Sequence, residues 1–321
     1  MLTATAVVAE WGAYFIDEGQ SVSDLKTLFK EASETEDIFA QGVTTNNTTV
    51  RKSQVVTTRV LQPFQKAFTQ LGGTTFTPKD IPLYRLKIDI QESVDDLHDS
   101  WLAYLTSNSL DRKTWPIVRW LAEIYGITQH KHDREMNEVF LGEYAAPTPG
   151  TAGAISTSMD GIRKKIRDLH TLGTSIVFAT GTIPTDPATF CTYIENAVAA
   201  IPELIKALGG TINMNRTLRN RYRAGKRAKY NAAYDQMKGE SDTIMDWEQF
   251  SVKGLPSMTG SNMIWYTPDI NKNRFYIASE NQSIFQIESV DRTVKMFTDY
   301  YFGLGFWIDQ YVFHNDQDLG S

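Results

Sequence analysis

Two groups of residues have the types and spacing that chemistry requires. His130, His132, Asp133, Glu135 and Glu138 crowd candidate metal ligands into one short stretch, and Arg216–Lys229 (RTLRNRYRAGKRAK) carries seven bases and no acid. A catalytic zinc needs three protein ligands at one point. On a helix, only residues three or four apart share a face. His130 therefore pairs with Asp133, and His132 with Glu135, and neither set reaches three. The cheaper reading is a solvated polar helix face. Asp95, Asp96, His98 and Asp99 invite an acid–base reading, but Ser93 ahead of them opens a capping box, and acids at a helix N-terminus meet the helix dipole. Cys191, beside Phe190 on the apolar side of a helix, reads as a small buried hydrophobe. The phosphate-loop, dinucleotide, H-E-x-x-H and G-x-S-x-G patterns do not occur in the sequence. No catalytic residue, cofactor or metal is expected.

The basic segment is the sharper signal. Arg216, Arg219, Arg221, Arg223, Lys226, Arg227 and Lys229 repel one another unless acids or phosphates lie close. Tyr222 and Tyr230 sit among them as stacking groups, so loose contact with a polyanion is one reading. The other is an electrostatic contact within the chain or between copies of it. The net charge is −6, and residues 1–48 carry eight acids against two bases, which offers a protein partner. A solvated helix is the plainest alternative.

These groups need elements to position them. The chain has 321 residues, 41% apolar and 12% aromatic, enough for a real core in roughly two domains or one elaborated domain. A single cysteine excludes an internal disulfide framework. No run approaches the ~18 apolar residues of a membrane span, and the first residues lack the basic start of a secretory leader. The expectation is a protein made and assembled inside a cell.

Residues 1–53 read as an arm, with one helical stretch at Val22–Phe29 and a polar linker at Gly42–Val50. Residues 54–92 read as an extended hairpin: a Val/Thr-rich strand at Gln54–Leu61, a turn at Gly72-Gly73, and strict alternation over Tyr84–Ile90. A lone hairpin is marginal in water, so its apolar residues Phe64, Phe68 and Phe76 want a neighbouring surface. Residues 93–150 carry a helix with Leu97, Trp101 and Leu105 as its buried stripe. Next comes a long spine helix from Pro116 toward Leu141, apolar in its first half and polar in its second. Pro147–Gly153 marks a boundary before an α/β lobe at 151–254. There the helices Asp160–Leu172 and from Asp186 flank a strand at Ser175–Ala179, and a strand at Ile212–Asn215 leads into the basic helix. Residues 255–321 turn strand-rich, with a turn at Asn271–Asn273, and fray from Tyr311 onward.

This order of elements resembles the major capsid protein of tailed bacteriophages, the Hong Kong 97-type fold. The most specific text is Pro63–Leu105 (PFQKAFTQLGGTTFTPKDIPLYRLKIDIQESVDDLHDSWLAYL) and Gly260–Phe313, which ends in a long strand with the aromatic-glycine stretch Tyr300–Trp307. The resemblance implies an α+β fold with an N-terminal arm, an E-loop hairpin, a P-domain with spine helix and sheet, and an inserted A-domain. It implies a structural, non-enzymatic protein of the virion, assembled in the host cytoplasm into hexamers and pentamers around double-stranded DNA. Portal, scaffold or cement proteins are possible partners, and no membrane is involved. Lys66 and Lys79 fall in the E-loop, where no crosslinking motif is evident. An encapsulin-like compartment shell, which resembles the same fold, is the alternative.

Overall fold

The computed structural model describes residues 3–13, 33–44, 48–230, 242–277 and 286–319. The expected helix at Val22–Phe29 lies outside them.

Alternation governs the first sheet. Strand β4 (Tyr84–Ser93) turns Leu86 inward and Arg85, Lys87 and Asp89 outward. It pairs antiparallel along β12 (Thr293–Phe306), from Ser93 opposite Thr293 to Tyr84 opposite Phe302. On the other side of β12 lie β11 (Gln286–Val290) and β10 (Lys272–Ile277), and β1 (Ala40–Thr44) adds parallel to β10. Helices α1 (Ala4–Gly12), α2 (Val94–Asn108), the spine α3 (117–138) and α4 (Ile162–Thr171) share one core with this sheet. Ser93 caps α2 by accepting the Asp96 N–H at 3.2 Å, and the stripe Leu97, Trp101 and Leu105 is buried. Pro116 precedes the spine, where its missing N–H costs nothing.

A second sheet has the order β5-β13-β9-β6-β8-β7. Its strands are β5 (Ile176–Ala179), β6 (Gly210–Asn215), β7 (Thr243–Ile244), β8 (Trp247–Leu255), β9 (Trp265–Tyr266) and β13 (Phe313–Asn315). Helix α5 (Pro187–Ala199) and the basic helix α6 (Arg216–Tyr230) join it in a core containing Phe190, Cys191, Ile194, Tyr222, Phe250, Tyr266 and Phe313. The third unit is a two-stranded ribbon of β2 (Thr49–Thr57) and β3 (Thr74–Pro82), with Thr57 opposite Thr74.

Five expectations change. The strand alternating over Tyr84–Ile90 pairs with β12 rather than closing the hairpin, because its inward residues are needed by the first core. The hairpin starts earlier: β1 and β2 occupy much of the stretch expected as a linker. Helix α4, expected in the inserted lobe, buries Ile162, Ile166 and Leu169 in the first core and is tied to the end of the spine region by Ile162 N–H to Val139 O at 2.9 Å. The turn falls at Asp269–Asn271, and Lys272 already begins β10. The C-terminal stretch does not fray at Tyr311: Phe313, His314 and Asn315 are fully buried in the second sheet. There Asn315 Oδ1 accepts the Ile264 N–H and its Nδ2 donates to Asn262 O, so polarity does not keep the strand outside.

Candidate assembly interface

The hairpin is an extended element with no core of its own. Beyond the ladder, residues 58–73 form a tip without regular structure. Along it Leu61 is 80% exposed, Phe64 92% and Phe68 97%, and Phe76 on β3 is 67% exposed. Lys66 is also exposed. Burying a large apolar side chain is worth about 1.5–3 kcal/mol, and almost none of that is realised at Phe64 and Phe68 within one chain.

The base of the hairpin is fixed where the tip is free. Ile81 and Leu83 pack with Phe275 and Ile277 against the sheet. The crossing is close enough that a Cβ on Gly303 would stand 2.5 Å from the Pro82 carbonyl oxygen, and one on Gly305 3.1 Å from Ile81. The glycines of the aromatic-glycine stretch are therefore the seat of the hairpin. Lys79, a sequence candidate, is bound at that seat by an ion pair to Asp309 at 2.6 Å, and Lys52 lies 5.3 Å from the centre of the Trp307 ring.

The basic helix faces largely into its own chain. Arg219 and Arg223 both donate to Asp242, with Nε–Oδ1 distances of 3.0 and 2.7 Å. Burial pushes the Asp242 carboxyl up, but the two guanidiniums outweigh it and hold the group at about 2. Arg221 donates to Pro184 O at 2.9 Å and lies over the Phe190 ring. Lys226 is buried and donates to Thr243 O at 2.5 Å. Lys229 pairs with Glu195 and donates to Thr192 Oγ1 at 2.9 Å. Arg216 meets Glu34 at 2.5 Å, one acid of the N-terminal region. Arg227 is exposed. The segment's charge is thus mostly matched locally, and Asp242, just past the helix, is the partner that residue spacing did not single out.

The polar half of the spine is a solvated face on one side only, where Gln129, His132 and Asp133 are exposed. Arg134 and Glu135 are buried, with Arg134 Nη2 2.7 Å from Oε2 of the fully buried Glu36. Glu135 accepts from the Thr35 N–H at 3.1 Å and from the Thr35 hydroxyl, which also lies 2.7 Å from Ser257 Oγ. Arg274 approaches Glu36 at 3.7 Å. His130 turns inward to the Tyr300 hydroxyl at 2.9 Å, and burial, with Arg134 and Lys131 beside it, pulls its pKa well down. Glu138 instead accepts from Ser158. Among the described residues, no three His, Cys, Asp or Glu side chains gather to hold a metal. No helix among them is long and apolar enough to cross a membrane. No local pattern pointed to Glu36 or Thr35, because their partners lie about a hundred residues away.

No protein-family model and no curated protein sequence matches the chain. Solved structures do. A chain of the procapsid of satellite phage P4, which includes the size determination (Sid) protein, superposes with a TM-score of 0.56 at 13% identity, covering 91% of this chain and 90% of that one. A chain of Mycobacterium phage Ogopogo gives 0.51 at 10% identity, covering 89% and 93%. At such identities the likeness speaks for the fold and leaves side-chain roles to this chain's own geometry. On that likeness, together with its two-stranded ribbon, spine helix and two larger sheets, the chain has the α+β Hong Kong 97-type capsid fold.

Proposed function

We propose that this chain is a major capsid protein, which self-assembles into hexamers and pentamers of a closed, icosahedral-type virion head enclosing double-stranded DNA. The observation that carries the reading is the hairpin: Phe64 and Phe68 stand almost wholly in solvent on an element whose base is firmly seated. Neighbouring copies supply the missing apolar partner. Obligate interfaces bury roughly 2,000 Å² or more, and an extended ribbon offers such area without a large globular body. Contacts that are individually modest become strong when a closed shell makes them many times over.

The function requires no catalytic group. DNA contact in this reading is sequence-blind attraction to phosphate, and the local matching of the basic helix leaves it a small share of that attraction. Assembly in the host cytoplasm, with portal, scaffold or cement proteins as further partners, belongs to the same proposal.

The test is light scattering and negative-stain microscopy of the expressed protein under conditions that favour assembly. Closed shells or ring-shaped precursors are expected. A compact monomer at high concentration overturns the reading.

A further inference from the structure

Strand β5 ends the second sheet, and among the described residues no strand pairs with its outer edge. Ile176 donates its N–H to Val312 O at 2.9 Å, toward β13. Backbone direction alternates along a strand, so the Val177 N–H and C=O point out of the sheet. Open edges are ordinarily guarded by charges, prolines, bulges or a covering loop. Residues 173–181 (GTSIVFATG) contain no charged residue and no proline. The ladder is regular over Ile176 and Val177, and its one irregularity follows them, where Phe178 of β5 is the extra residue between Val177 and Ala179. Ile176 is 36% exposed and nearby Leu172 72%. An apolar, uncharged edge of this kind is a template for another strand.

The hairpin offers one. Strand β2 pairs with β3 on one side alone among the described residues. Its distal part, residues 53–57 (SQVVT), is uncharged and free of proline, so its outer amides can all donate. Strand β3 is the poorer candidate, because Pro78 and Pro82 remove donors from it. Val55 on β2 is 53% exposed, an apolar match for Ile176.

We propose that the outer edge of β5 is completed in the assembled protein by the distal half of β2 from a second copy of this chain. The inference rests on the capsid reading and gives it a specific contact, in which main-chain hydrogen bonds supply affinity and Val55 and Ile176 share an apolar surface. Because donor and acceptor are different surfaces, the contact is head-to-tail and propagates into rings, as capsomers require.

The experiment places Val55→Cys and Ile176→Cys in one chain, assembles shells, and treats them with a short bismaleimide. The native Cys191 is fully buried and does not compete. A ladder of covalently joined chains on a denaturing gel is expected, with no ladder from Ile176→Cys alone. Dimers from Ile176→Cys alone would mean that β5 pairs with itself, and shells that yield no ladder would mean that the two edges do not meet; either overturns the proposal. If the double variant does not assemble, hydrogen exchange on unsubstituted shells decides. The Val177 amide should be protected in shells relative to dissociated subunits, and equal exchange in both rejects the contact. Absence of shells from the unsubstituted protein would instead reject the capsid reading itself, and this contact with it.

Discussion

Arg134 Nε stands 2.5 Å from Glu36 Oε1, with at most 1% of either side chain exposed. The pair welds the segment before β1 to the spine, and Thr35 with Glu135 repeats the weld one residue away on each side. Two buried charges are tolerated because each is the other's counterion. Removing Glu36 leaves Arg134 uncompensated in a dry site. Glu36→Ala is expected to cost about 3–5 kcal/mol in denaturant unfolding. Replacing both partners together, as Glu36→Leu with Arg134→Met, should recover most of that loss. A single-site loss below ~1 kcal/mol would show that the weld contributes little.

Phe68 is the converse case, a large apolar residue that the single chain does not use. Phe68→Asp should shift the stability of the isolated subunit by no more than about 0.5 kcal/mol, as for ordinary surface changes. It should block shell formation, since a charge replaces a buried anchor at every copy of the interface. Light scattering reads the second effect and thermal unfolding the first. Normal shells from this variant would place the hairpin tip away from any interface.

Gly303→Ala tests the seat of the hairpin. The added methyl meets the Pro82 carbonyl oxygen, a backbone atom that cannot rotate aside. Overpacking of this kind costs about 1–3 kcal/mol. The expected result is lower stability and faster proteolysis within residues 58–73. Gly73→Ala, where a Cβ meets nothing within 4 Å, is the control and should leave both unchanged.

Asp242 contributes one part of the acid-side pH dependence. Its folded carboxyl lies at about 2, below the ordinary 3.8. Its stabilising contribution is therefore complete above pH 4 and is lost as pH falls toward 2. The site is partly open to solvent, so screening holds the effect to about 1 kcal/mol or less. Stability curves for the unsubstituted protein and Asp242→Asn should be separated at pH 5 and merge near pH 2. A gap that persists at pH 2 would assign the effect to something other than ionisation.

What the sequence determined by itself was local. The spacing of Leu97, Trp101 and Leu105 marks a helix face, the alternation over Tyr84–Ile90 marks a strand, and Phe190 beside Cys191 marks a buried turn of α5. Each pattern repeats within a few residues and reflects the geometry of one element. Tertiary structure decided the partners. Strand β4 alternates identically whether it closes a hairpin or lies along β12, and only the first core's demand for Leu86 selects β12. Nothing near His130, Arg134 or Glu135 distinguishes a solvated helix face from a buried one, because the deciding counterion, Glu36, arrives from 98 residues away. The bases of α6 look unmatched until the chain folds Asp242 back against Arg219 and Arg223. A polar end such as His314-Asn315 looks frayed until its hydrogen-bond partners surround it. Burial and charge pairing are sums over neighbours in space, and sequence spacing records them only when those neighbours are also neighbours along the chain.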